Sequence, residues 1–508
     1  MTDLREAESL SALIAAGNGD APALLAPDRP PTTRAGLARQ IERIGGALAA
    51  RGIGAGDRVA IVLANGPEMA AAFLGVAAHA TAAPLNPAYR AEEFAFYLDD
   101  LGAKAIILAE GVDSPVRAVA AERGLPLLEL SVPEGAAAGV FDLPGMAEAA
   151  AARPSGADDE ALVLHTSGTT SRPKVVPLLQ RNLLASARHI GDALWLGPAD
   201  RCLNVMPLFH IHGLIAAVLS SLGAGGSVVC TPGFNALRFM AWLGESGATW
   251  YTAVPTMHQA ILSRAERQPE AARGAGLRFV RSSSSSLPPQ VMLALEETFG
   301  CPVIESYGMT EAAHQMTSNQ LPPGQRKPGT VGVPSGPQVR VVDEAWESVP
   351  TGAVGEVVIK GPNVTPGYEA NPKANAESFR DGWFRTGDQG TFDADGFLTI
   401  TGRLKEIINR GGEKISPREV DEVLLDHPAV GQAVTFALPH PKLGEEVAAA
   451  IVLKEGQSAD ERALRDFAAT RLADFKVPRK WVFLEEIPKG ATGKLQRIGL
   501  AKQLGLAE

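Results

Sequence analysis

Apolar residues along this chain cluster in short, nearly continuous runs separated by turn-forming residues. Residues 58–63 form such a run, 67–78 follow as a helix, 91–101 as a second helix and 104–109 as a second strand. Unbroken apolar runs of strand length read as strands covered on both faces, and strand–helix–strand spacing implies parallel pairing with helices on the faces. Residues 201–305 repeat the pattern, with strand-like pieces at 202–206, 227–230, 250–253, 277–281 and 302–305. Residues 1–50 read as two helical pieces joined by a Pro-rich link at 28–31. From about 330 the runs shorten between Gly, Pro and Asp turns, at 338–342, 355–359 and 397–401, which predicts antiparallel strands or a small barrel. Beyond Gly402 the chain is more highly charged, with a helix at 417–425, strands at 433–438 and 446–452 and a helix at 459–472.

The pattern is therefore α/β: two stretches of strand–helix alternation and then antiparallel strands or a small barrel in residues 1–402, followed by a compact α+β domain in 403–508. The uncharged run at 213–230 breaks at Gly223-Ala-Gly-Gly226 and fits a helix followed by a buried strand better than a membrane span. Glycines 52, 54 and 56 precede their strand and are followed by Asp57, so they are no dinucleotide fingerprint.

Charge and cysteine usage narrow the function. A net charge of −10 over 508 residues, with no basic tract, argues against nucleic-acid partners. Cys202, Cys230 and Cys301 are far apart and suit a reducing compartment; the N-terminus has no apolar signal region, so a cytoplasmic protein without a membrane span is expected.

Candidate chemistry centres on T-S-G-T-T-S-R-P-K at 166–174. Five of these nine residues carry hydroxyls and two are cationic, so the stretch can wrap and neutralise phosphate oxygens. It is read as a loop between a strand at 161–164 and a helix at 178–190, and it is not a Walker A sequence. Four further motifs fit the same chemistry. E-S-Y-G-M-T-E at 305–311 offers Tyr307 as a flat face for a purine, Thr310 as a phosphate contact and Glu311 as a hard oxygen ligand for Mg²⁺. D-G-W-F-R-T-G-D at 381–388 ends on Asp388, a carboxylate suited to ribose hydroxyls. G-R-L-K-E at 402–406 and N-R-G-G-E-K at 409–414 join charge to a glycine pair that either lets a ligand pass or makes a hairpin turn. P-K-G-A-T-G-K-L-Q-R at 488–497 presents Lys494 on a glycine loop.

Together, and in this order, the motifs resemble the acyl-adenylate-forming superfamily of acyl-CoA synthetases, firefly luciferase and peptide-synthetase adenylation domains. The resemblance implies a large N-terminal domain of two doubly wound α/β subdomains plus a small β-barrel, a small mobile α+β C-terminal domain, and ATP, Mg²⁺ and coenzyme A as cofactors and substrates. It implies that Ser167, Gly168, Thr169, Thr170 and Lys174 hold the β- and γ-phosphates. Glu305, Tyr307, Thr310, Asp388 and Arg403 would contact the rest of the nucleotide, and Glu311 the metal. Lys405 would be the hinge, Gly411 and Gly412 would line the pantetheine tunnel, and Lys494 would be the lysine of adenylation. Ser171 and Val175 stand where the superfamily usually has glycines.

Within the superfamily, the 166–174 string, R-S-S-S-S-S-L at 281–287, M-T-E-A-A-H-Q-M-T-S-N at 309–319 and P-L-F-H-I-H-G at 207–213 look closest to oxalate–CoA ligases. That implies a very short dicarboxylate, oxalate first, gripped by Ser284 and His314 with His210 or His212 as third partner. A second buried carboxylate needs donors, which hydroxyls and imidazolium supply. His210 and His212 are two apart and share a side if the segment is extended. Competing readings are a synthetase for another short or medium-chain acid, an adenylation protein loading a carrier domain, and a non-catalytic nucleotide-binding protein. The absence of a carrier-like segment favours CoA, and intact Glu311, Asp388 and Lys494 favour catalysis.

Overall fold

The computed structural model describes residues 6–146, 152–166, 173–489 and 495–507. Strands β1 (Pro22–Ala26) and β2 (Arg29–Thr33) form an antiparallel hairpin where only a Pro-rich link between two helical pieces was expected. Pro30 and Pro31 are tolerated because β2 is the outermost strand of its sheet, where a missing N–H breaks no ladder.

One sheet contains β3 (Arg58–Val62), β4 (Thr81–Pro84), β5 (Ala105–Ala109), β6 (Leu127–Leu130), β7 (Glu160–Thr166) and β8 (Lys174–Leu179), in the order β6-β5-β3-β4-β7-β8. It is parallel except for the β7–β8 hairpin. A second sheet joins β9 (Arg201–Asn204), β10 (Ser227–Cys230), β11 (Trp250–Ala253), β12 (Phe279–Ser282), β13 (Val303–Met309), β14 (His314–Ser318) and β15 (Val333–Pro334) to the N-terminal hairpin, in the order β15-β14-β13-β12-β11-β9-β10-β1-β2.

Strand alternation sends each sheet's side chains into two cores. Val59 and Ile61 of β3, with Trp250 of β11 and Phe279 of β12, enter a core shared by both sheets; Ala60 and Val62, or Tyr251 and Val280, enter outer cores. The helix Pro67–His79 lies in the shared layer, which explains why nearly all its residues are apolar. It meets the helix Arg34–Ala49 closely: a Cβ on Gly75 would come within 2.5 Å of Ile44 Cδ1.

The antiparallel strands expected after residue 330 are β16 (Gln338–Val342), β17 (Gly355–Lys360), β18 (Phe379–Arg380), β19 (Trp383–Phe392) and β20 (Leu398–Arg403). Their ladder runs β16-β17-β19-β18 with β20 also on β19, so among the described residues the barrel expected here is a five-stranded sheet with no closing pair. The smaller C-terminal domain contains β21 (Ile408–Arg410), β22 (Glu413–Ile415), β23 (Val430–His440), β24 (Gly444–Leu453) and β25 (Lys480–Phe483), packed on the helices Pro417–Leu425 and Glu461–Ala469. Ser416 Oγ and Arg418 Nη1 donate to the Thr401 and Ile400 carbonyls, tying this domain to β20. No helix among the described residues is long and apolar enough to cross a membrane.

Candidate active site

The phosphate-loop candidate sits between β7 and β8, with Thr166 opposite Lys174 at the end of the ladder. It joins two antiparallel strands; the strand-to-helix reading is corrected, since the helix starts only at Gln180. Pro177 misleads the eye there, but β8 is an edge strand and accepts it. Val175 is a buried strand residue paired with His165. Ser167, Gly168, Thr169 and Thr170 lie outside the described residues.

Lys174 places its Nζ 4.0 Å from the centre of the Tyr368 ring. Tyr368 Oη in turn donates to Glu311 Oε1 at 2.8 Å. Burial lowers the Lys174 pKa and the Glu311 carboxylate opposes that shift; burial raises Glu311, and Arg403 and Lys174 oppose it. Thr310 begins the 3₁₀ turn Thr310–Ala312 that carries Glu311. Tyr368 was not singled out in the sequence, where only a Gly-Tyr-Glu turn marks it.

Tyr307, Asp388 and Arg403 come together. Tyr307 Oη donates to Asp388 Oδ2 at 2.5 Å, and Arg403 Nε donates to Oδ1 at 2.9 Å. Asp388 and Arg403 face each other across β19 and β20. Asp388 is buried while half of the Arg403 side chain is exposed, so the cation reaches the surface above a fixed carboxylate. The Asp388 charge raises Arg403, and burial, then Asp388, raises Tyr307. Glu305 differs from these. It is wholly buried, Oε1 accepts the Leu287 N–H at 2.8 Å, Oε2 has no hydrogen-bond partner, and burial pushes it up to about 7. Its carboxylate braces the end of the serine run from behind.

A third cluster gathers at the carboxyl ends of β11 and β12, the side of a parallel sheet where ligands bind. His212 Nδ1 lies 3.0 Å from Ser284 Oγ, and His212 Nε2 lies 2.6 Å from Thr252 Oγ1. The His212 and His314 rings are 5.0 Å apart. Arg281 lies within 3.5 Å of both rings and 3.1 Å from Gln315 Oε1. His212 opens the π-helix His212–Leu219, so the segment is not extended and the two histidines do not share a side. His210 Nδ1 instead accepts the His212 backbone N–H at 3.4 Å. Ser284 and His314 hold φ of 73° and 99°, left-handed conformations that cost non-glycine residues free energy and persist where surrounding contacts enforce them. Beside the Arg281 guanidinium, the ring nitrogens that face it, His212 Nε2 and His314 Nδ1, can only accept. Arg281 and Thr252 were missed as site residues; the only sequence signal was that Arg281 heads the serine run.

In the C-terminal domain, Gly411 and Gly412 form the turn between β21 and β22 at φ of 61° and 102°, so the hairpin reading describes their conformation. Lys405 is exposed in the turn after β20. Lys494 lies outside the described residues. Three residues on, Arg497 forms an ion pair with buried Asp421 at 2.5 Å and donates to the Thr435 carbonyl at 2.9 Å.

The geometry thus sets a cation–aromatic–carboxylate group beside an aromatic–carboxylate–arginine group, with a wholly buried polar network nearby. The family of AMP-binding enzymes matches residues 13–369, and its C-terminal domain matches 419–494. The oxalate–CoA ligase of Arabidopsis thaliana is 46% identical over 473 residues, covering 92% of this chain and 92% of that protein. The oxalate–CoA ligase of Saccharomyces cerevisiae is 44% identical over 481 residues, 88% of this chain and 86% of that one. The crystal structure of ATP-bound MatB from Rhodopseudomonas palustris superposes with a TM-score of 0.89 at 30% identity, over 98% of both chains.

Proposed function

This chain belongs to the family of AMP-binding enzymes, and from that premise we propose that it is an AMP-forming acid–thiol ligase that activates oxalate and passes it to coenzyme A. The observation that carries the substrate is the wholly buried network of Arg281, Thr252, His212 and His314, with Ser284 at its edge. A fatty or aryl acid wants apolar walls; a second carboxylate beside the reacting one needs donors. The full-length likeness to oxalate–CoA ligases supports the same reading.

One oxalate carboxylate attacks the α-phosphorus of ATP, giving oxalyl-AMP and pyrophosphate; the CoA thiolate then attacks the oxalyl carbonyl and AMP leaves. The first step crowds anions together, so the protein contributes position and positive charge. Asp388 and Tyr307 hold the ribose and adenine side, Arg403 lies over ribose and phosphate, and Thr310 meets the α-phosphate. Lys174, with Ser167 to Thr170, binds the outer phosphates, and Lys494 neutralises charge at the attacking carboxylate. Glu311 fits an Mg²⁺ ligand: it is a buried carboxylate beside the Lys174 end of the site. No group of three metal-ligating side chains occurs among the described residues, so phosphates and water would complete the shell. Bound there, Mg²⁺ supplies charge to the phosphate oxygens.

The small domain, taken as 403–508, turns about Lys405 so that Lys494 serves the first step and the Gly411-Gly412 turn the second. Buried free cysteines suit a cytoplasmic setting. Oxalate-dependent pyrophosphate release followed by oxalyl-CoA formation is the expected result. Acylation of a carrier protein in place of CoA would favour the carrier-loading alternative.

A further inference from the structure

Arg281 of β12 lies opposite Thr252 of β11, on the face that points into the shared helix layer, and it is wholly buried. A guanidinium offers only donors, and burying one without a carboxylate is costly. Among the described residues no Asp or Glu pairs with it, and its Nε has no hydrogen-bond partner. Its neighbours are Thr252 Oγ1 at 3.4 Å, Gln315 Oε1 at 3.1 Å, His212 Nε2 at 3.5 Å and His314 Nδ1 at 3.5 Å. Burial pulls its pKa down to about 9, which leaves it charged at neutral pH.

A donor-only cation dictates the protons around it. His212 Nε2 also faces Arg281 Nη1 and so must accept, which sends the Thr252 hydroxyl hydrogen to it at 2.6 Å while Thr252 Oγ1 accepts from Arg281. His212 then carries its ring hydrogen on Nδ1 and donates it to Ser284 Oγ at 3.0 Å. Ser284, accepting there, directs its hydroxyl hydrogen away from His212. On the other arm, His314 Nδ1 faces Arg281 Nη2, which puts the His314 hydrogen on Nε2. The arms end at Ser284 and His314, each of which holds a left-handed φ.

We infer that Arg281 is a positioning residue that fixes His212 and His314 as these neutral tautomers, so that the acyl site presents donors and selects acids with a second anionic group beside the reacting carboxylate. This rests on the dicarboxylate reading given above. The test combines histidine-selective ¹⁵N NMR with kinetics on the full-length enzyme and on Arg281→Met and Arg281→Lys. The wild type should show unprotonated Nε2 on His212 and unprotonated Nδ1 on His314 from pH 6 to 8. In Arg281→Met both rings should lose this preference and titrate near the ordinary ~6.5. The oxalate-over-acetate ratio of kcat/KM should fall ~100-fold at pH 8. It should partly recover below pH ~6.5, where imidazolium replaces the lost charge. Arg281→Lys should keep most of the ratio. The inference is overturned by a wild type with the opposite tautomers. It is also overturned by an Arg281→Met enzyme that binds ATP normally yet keeps the wild-type ratio, or loses both substrates equally at every pH. The NMR arm uses no substrate, so it decides the role of Arg281 even if the wild type proves to prefer another acid.

Discussion

The Tyr307 hydroxyl donates to Asp388 Oδ2 at 2.5 Å, joining the nine-stranded sheet to the five-stranded antiparallel one at the point where Arg403 also binds Asp388. Asp388 is thereby fixed before any nucleotide arrives. Each of its oxygens keeps a further lone pair for a ribose hydroxyl. Asp388→Ala should weaken ATP by ~1.5–3 kcal/mol, a charged hydrogen bond's worth, seen as a rise in KM for ATP. Tyr307→Phe should cost less, because Arg403 still orients the carboxylate. Unchanged ATP kinetics in Asp388→Ala would remove the residue from the nucleotide site.

His314→Ala should cut kcat/KM for oxalate by ~1.5–3 kcal/mol while leaving the KM for ATP near normal. His212→Ala should exceed His210→Ala, because His212 bonds Ser284 and Thr252 while His210 supports the turn before it. Equal losses in the two variants would contradict the placement of His212.

Glu305 gives a pH signature. Burial raises its pKa from 4.5 to about 7, so the folded state holds a proton that the unfolded chain releases at lower pH. This contribution to stability is therefore complete below pH 4.5 and is lost as pH rises through 7, on the order of 3 kcal/mol in all. Glu305→Gln should flatten stability over that window, measured by urea unfolding between pH 5 and 8. A wild type that grows more stable through this window with the same slope as Glu305→Gln would refute the assignment.

The two half-reactions should separate by mutation. Lys494→Ala should slow pyrophosphate release by ~10²–10³ and spare thioester formation from supplied oxalyl-AMP. Lys405→Pro should do the reverse, because fixing φ near about −65° at the proposed hinge would block the proposed domain rotation. Loss of adenylation alone in Lys405→Pro would argue against a hinge there.

The alternating α/β layers were legible because buried strands such as residues 58–62 and 227–230 are apolar on both faces. The N-terminal hairpin and β8 were not, because Pro30, Pro31 and Pro177 look like breaks until an edge position makes them harmless. Tyr307, Asp388 and Arg403 announced themselves by motif. Arg281 did not: nothing in a sequence reveals that an arginine is buried without an acid, and the serines beside it drew the attention. The histidine geometry was also hidden, since a π-helix starting at His212 breaks the period-two rule that an extended segment would obey.

The most direct test of the account is a competition among carboxylates, measuring kcat/KM for ATP- and CoA-dependent AMP formation with oxalate, acetate, octanoate and a cinnamate. Oxalate should exceed the others, with acetate and octanoate turned over weakly. If octanoate or the cinnamate outcompetes oxalate, the oxalate assignment is wrong, whatever the adenosine site does.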